Sequence, residues 1–139
     1  MSVLRRLVRY HRHILDEKRR ELRGLEEHAA AVESAIETLD DSVVHEQQVA
    51  GQSTQALGAY GPFARAALDS RATLLGALSE ANLAVDTARD ALLDVFAEVK
   101  RYEISLENQE REEREARERQ VQGQIDESAL NLYRRRDKD

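Results

Sequence analysis

Few side chains in this chain could do chemistry. The sequence holds 27 carboxylates and four histidines but no cysteine. Thiolate nucleophiles, disulfides and zinc–thiolate sites are therefore out of reach. His11 and His13 are two residues apart. On a helix they point about 200° away from each other and cannot share a metal. His28 and His45 have no second histidine three or four residues on. A GxxxxGK phosphate loop is missing, because no glycine is followed by lysine, and GxGxxG is missing too. The carboxylates fall almost entirely where a helix faces water. No catalytic, metal or cofactor site is expected, and the chain reads as a non-enzyme.

The basic residues form the other chemical candidate. Arg5, Arg6, Arg9, Arg12, Lys18, Arg19, Arg20 and Arg23 crowd the first 23 positions. A basic helix beside a coiled coil is loosely like a bZIP protein. However, Leu4, Val8 and Leu15 make the same stretch amphipathic, and Asp16, Glu17 and Glu21 interrupt it. The pI is near 5.3, and no Asn or aromatic set is interleaved to read bases. Nucleic acid is not the expected partner.

The elements that must carry these residues are helical. Charged side chains make up 35% of the 139 positions, and there are only four tyrosines, two phenylalanines and one proline. That balance suits long helices better than a bulky globular core. From Leu4, steps of four and three residues reach Val8, His11, Leu15, Lys18, Leu22, Leu25, Ala29, Val32, Ile36, Leu39, Val43, Glu46 and Ala50. A second series runs through Leu74, Leu78, Ala81, Val85, Ala88, Leu92, Val95, Val99, Tyr102 and Leu106. Sustained over several heptads, such stepping is a coiled-coil seam. Between the two series lies GQSTQALGAYGP, residues 51 to 62, the chain's one cluster of helix breakers.

The expected fold is all-α: a long antiparallel two-helix coiled-coil hairpin, one domain over 1–139. Helix 1 spans about 3–50, with Ser2 as N-cap. The bend covers 51–62, and helix 2 spans about 63–134, with Pro62 in its first turn. Facing residues should sum to about 113, so that Leu39 meets Leu74 and Val3 meets Glu110. At 1.5 Å per residue the helices would be roughly 72 and 110 Å long. The C-terminal part of helix 2, from about Arg111, then overhangs without a partner. There Glu107–Arg111, Glu110–Arg114, Glu113–Arg117 and Glu115–Arg119 stand at i,i+4, the stabilising orientation. Beyond them Val121, Ile125, Ala129 and Leu132 resume an apolar stripe in shifted phase, with Tyr133 alongside.

The net charge of −6 is a sum of separated blocks. Residues 24–99 carry three basic and thirteen acidic side chains; the two ends together carry eighteen basic and fourteen acidic ones. Folded at the bend, the acidic block lies toward the turn and the basic blocks toward the termini. No run approaches the ~18 apolar residues of a membrane span. The basic N-terminus has no apolar h-region or cleavage site of a secretion signal.

Three segments carry a family likeness: LVRYHRHILDEKRRELRGLE (7–26), AYGPFARAALDSRATL (59–74) and VKRYEISLENQEREEREARERQVQGQIDESALNLYRRR (99–136). In order and spacing they resemble the flagellar type III export protein FliJ family, most closely its alphaproteobacterial branch. The resemblance implies a non-enzymatic central stalk and adaptor, similar to the gamma subunit of rotary ATPases. It implies partners as well: the hexameric flagellar export ATPase, the cytoplasmic domain of the export gate, and export chaperones. Insertion of the terminal end into the ATPase ring points to Arg5, Arg6, Arg9, Tyr133, Arg134 and Arg135 as ring contacts. The family's gate contact lies near the bend and carries over to Phe63, with Tyr60 in support. Ala67 and Arg71 depart from that pattern. The implied setting is cytoplasmic, peripheral at the flagellar basal body, with the chain a monomer. The homologous stalk of a virulence-type secretion system and a self-associating coiled-coil scaffold stay open as alternatives.

Overall fold

A computed structural model describes residues 2–138 and contains two helices, α1 (Val3–Ala50) and α2 (Thr54–Lys138). The fold is all-α, with the two helices packed antiparallel as a hairpin. α1 begins as its sequence predicts. The Ser2 hydroxyl accepts a hydrogen bond from the Arg5 amide at 3.1 Å, and the Ser2 carbonyl accepts one from the Arg6 amide. The first bond satisfies one of the donors that a helix N-terminus leaves over, and the second is the first regular turn of the helix.

The chain divides into two packed units. The first joins the chain up to His13 with the stretch from Phe96 onward; the second is Ile14–Val95. In the first, Val8 and Val99 are each only 2% exposed, and His11 stacks on Tyr102 with ring centroids 4.5 Å apart. In the second, Ala29, Ala81 and Val85 form a buried cluster, with Leu22 and Leu25 packed against it. The seam register is as expected. Arg5 pairs with Glu110, His11 with Tyr102, Arg12 with Glu103, Glu26 with Arg89 and Asp40 with Arg71, each within two of a constant sum of 113. All the seam positions named above are buried or half-buried.

The bend is shorter than the expected 51–62, and helix 2 starts before residue 63. α2 begins at Thr54, so only Gly51, Gln52 and Ser53 lie between the helices. Ser53 caps the new start: its hydroxyl accepts from the Ala56 amide at 3.0 Å and its carbonyl from the Leu57 amide at 3.0 Å. Ala56, Tyr60 and Phe63 are half-buried and Ala67 is buried. The seam therefore extends upstream through the glycines, and tertiary packing overrides their local preference. Pro62 consequently lies inside α2, in its third turn rather than its first. An interior proline ordinarily costs about 3 kcal/mol of helix stability. Gly61 lessens that cost, because it has no Cβ for the proline ring to meet. From Phe63 the seam steps to Ala67, Arg71 and Leu74 in intervals of four, four and three. This is a stutter that places an arginine at a seam position.

Beyond Glu110, α2 continues to Lys138 with every described residue exposed. Among the described residues, none of the four Glu–Arg i,i+4 pairs expected there closes to ion-pair distance. Instead Gln109 bonds Glu113 and Gln122 bonds Asp126. Long, fully hydrated side chains gain little from pairing, so this result costs the helix little.

Candidate docking surfaces

In the first unit the sequence-predicted basic residues occupy two places. Arg5, Arg6 and Arg9 are exposed on the first turns of α1. Arg5 is engaged, its guanidinium 2.6 Å from a Glu110 carboxylate oxygen. Tyr133, Arg134 and Arg135 lie more than twenty residues farther along α2 than Glu110, and Tyr133 is 66% exposed. At 1.5 Å per residue that is roughly 35 Å of helix. The two groups therefore form separate basic surfaces and not one cluster. The basic residues in the last turn of α2, Arg135, Arg136 and Lys138, complement the negative end of the helix dipole.

Glu103 anchors the paired part of this unit. It accepts from Arg12 at 3.1 Å and from Lys100 at 3.3 Å. The Arg12 hydrogen bond, opposed by some desolvation and reinforced by Lys100, holds its carboxyl below the ordinary glutamate value. The Lys100 ammonium also lies 5.3 Å from the Phe96 ring centroid, within cation–π range.

The second unit contains the expected aromatic pair near the turn. Tyr60 and Phe63 are both half-buried at consecutive seam steps, so neither stands free in solvent. Tyr60 forms a wall of a cleft of about 250 Å³ with Leu39, Val43, Ala64, Ala67 and Leu68. Leu68 is 69% exposed at its rim. Asp40 and Arg71 close one side through two contacts, at 2.9 and 3.5 Å. The hydrogen bond and charge of Asp40 raise the already high Arg71 pKa further, so this cation is permanent. The ion pair is a feature that sequence reasoning missed. Its signal was present, since Arg71 falls at a seam step and a facing sum near 113 puts Asp40 within reach across the hairpin.

A second groove in the same unit, about 520 Å³, lies between Leu25 on α1 and Leu83, Ala84, Ala88 and Ala91 on α2, with Lys18 and Glu21 at its edge. It exists because alanine recurs where α2 turns this side toward α1, leaving the helices unfilled between them. Both clefts are open, and neither gathers the acid, base and nucleophile that a reaction would need. Among the described residues no group of three or more His, Asp or Glu could hold a metal ion. No helix is long and apolar enough to cross a membrane.

Comparison with known proteins agrees with this architecture of paired helices and exposed basic ends. No curated protein and no solved structure matches the chain. The family described as the flagellar FliJ protein matches residues 1–138. With that match spanning both helices and the unpaired extension, the chain belongs to the flagellar FliJ family, whose members are components of the flagellar export apparatus.

Proposed function

We propose that this protein is a non-enzymatic central stalk and adaptor, and a general chaperone, of the flagellar type III export apparatus. In this reading it promotes assembly of the hexameric export ATPase ring and links the ring to the export gate and to export chaperones. The observation that carries the reading is the stretch of α2 beyond Glu110, which has no partner among the described residues and carries Tyr133, Arg134 and Arg135 near its end. A helix that exposes Val121, Ile125 and Leu132 together with a basic tip suits insertion into a ring whose lumen supplies apolar and acidic groups. Arg5, Arg6 and Arg9 on α1 add a second basic surface, which favours encounter and orientation more than final affinity. Near the turn, Tyr60 and Phe63 with the exposed Leu68 are the residues offered to the gate's cytoplasmic domain. The protein acts as a monomer in the cytoplasm, peripheral to the basal body.

The decisive experiment is co-purification with the hexameric export ATPase, scored by stimulation of ATP hydrolysis. Arg134→Glu with Arg135→Glu should weaken capture at low salt and reduce stimulation. Binding and stimulation unchanged by this double reversal would overturn the stalk reading.

One observation favours a second reading. The stripe of Val121, Ile125 and Leu132 is exposed and could pair with a second copy, as in a coiled-coil scaffold. Light scattering at micromolar concentration separates the two, since a scaffold would be a dimer or larger and a stalk would not.

A further inference from the structure

The first turns of α2 are built differently from the rest of both helices. Thr54–Gly61 contains Gly58 and Gly61 and is followed by Pro62. None of these eight residues is fully buried; Ala56 and Tyr60 alone are half-buried. Proline has no amide hydrogen, so the carbonyl of Gly58 receives no i,i+4 bond, and the ring crowds that same carbonyl. The backbone ties from this segment to the remainder of α2 are therefore those donated by Phe63, Ala64 and Arg65. On the other side of Pro62 the helix is packed through half-buried Phe63 and Ala64 and buried Ala67, with the half-exposed Asp40–Arg71 ion pair adding little. The helix is thus weakly joined at one residue, with a piece before it that buries no residue and a piece after it that buries Ala67.

We propose that Thr54–Gly61 is a detachable flap that unwinds as a unit at Pro62. Unwinding converts the turn of Gly51–Ser53 into a loop reaching to Gly61. It also withdraws Tyr60 from the wall of the cleft lined by Leu39, Val43, Ala64 and Ala67. The closed state is the helical one, held by the Ser53 cap and by Tyr60. On the reading of Tyr60 as a gate contact, the occupant that selects the unwound state is the gate's cytoplasmic domain. The proposal deepens the reading of Tyr60 as a gate contact. It rests on that reading for the flap's use, while the flap itself is a property of the free chain.

Amide hydrogen exchange on the full chain, without any partner, tests it. The amides of Gly58, Ala59, Tyr60 and Gly61 should exchange at one common rate, about 100-fold faster than those of Ala67 to Leu78, with a step at Pro62. Gly61→Ala with Pro62→Ala restores the missing donor on an exposed face where a Cβ at residue 61 meets nothing within 4 Å. That variant should remove the step and slow the four amides at least about tenfold. Ordinary fraying gives instead a smooth gradient from Thr54 with no break at Pro62. Such a gradient, or a step that survives the double substitution, would overturn the flap. Loss of gate capture by Tyr60→Ala is a separate readout, so failure of the gate reading leaves the exchange result standing.

Discussion

Val99 and Val121 sit on the same helix and in the same unit, yet one is 2% exposed and the other 53%. Around Val99, α2 is paired. Val8 is buried in the same seam, Arg12 reaches Glu103, and Tyr102 stacks on His11. Around Val121 no described residue outside the helix itself lies against it, and every neighbour is exposed. The backbone conformation is identical in the two stretches and the cause of it is different. Burial holds the first, at about 25 cal/mol per Å² of apolar surface removed from water. The second persists on intrinsic propensity, in a run dominated by Glu, Arg and Gln, all good helix formers. Helicity in this protein is therefore no guide to where its stability lies.

Substitutions chosen in matched pairs sharpen that contrast. The largest effect is expected from Val99→Asp, which forces a carboxylate into the seam. Denaturant unfolding followed by circular dichroism should show a loss of at least about 3 kcal/mol. Equal tolerance of aspartate at this position would break the distinction between the paired and unpaired stretches. Gly123→Ala should act next, and in the opposite direction. A Cβ there meets nothing within 4 Å, so the local gain is about 1 kcal/mol of helix propensity. It should appear as slower amide exchange across the unpaired stretch, with the unfolding midpoint of the seam unchanged.

A smaller effect belongs to Glu103. Its carboxyl is held below the ordinary value by Arg12, so its stabilising contribution is present above the unfolded-state pKa and is lost as the pH falls through the folded one. Comparing the wild type with Glu103→Gln, the wild-type advantage at neutral pH should shrink to nothing in acid. Because Arg12 is mostly exposed, solvent screening keeps that advantage small. A wild-type advantage that persists below the folded pKa would show that the hydrogen bonds rather than the charge matter. Smallest of all, Val121→Asp should leave the unfolding midpoint within about 0.5 kcal/mol of wild type.

The seam was legible in the sequence because a period of seven survives a few polar intrusions. Lys18, Glu46 and His11 stand at seam steps, and the register held around them. The turn was less legible for a physical reason. Gly58, Gly61 and Pro62 speak to local preference, whereas Ala56, Tyr60, Phe63 and Ala67 speak to packing, and packing won. Asp40 and Arg71 belong to different helices, and only the stutter brings them together. For the surfaces, the sequence reading grouped the basic residues of both termini at one end, and the structure separates them along α2. Arg5 turned out to be engaged with Glu110, and Tyr133 to lie far along the unpaired helix. Exposed residues are read by partners, and a single chain holds no record of the partner's shape.

The antiparallel pairing also dictates an order of assembly. The ion pairs across the seam join residues 31 apart at Asp40–Arg71, 63 at Glu26–Arg89, 91 at Arg12–Glu103 and 105 at Arg5–Glu110. Closing the last of these first would require a loop of a hundred residues. Closing them in sequence from the turn adds a modest increment of chain each time, and loop entropy favours that route. Loop entropy alone therefore predicts a zip that starts beside Gly51–Ser53 and ends at the Arg5–Glu110 pair. On that route the rung formed last is also the first to reopen, and it is the one that ties Arg5 to Glu110.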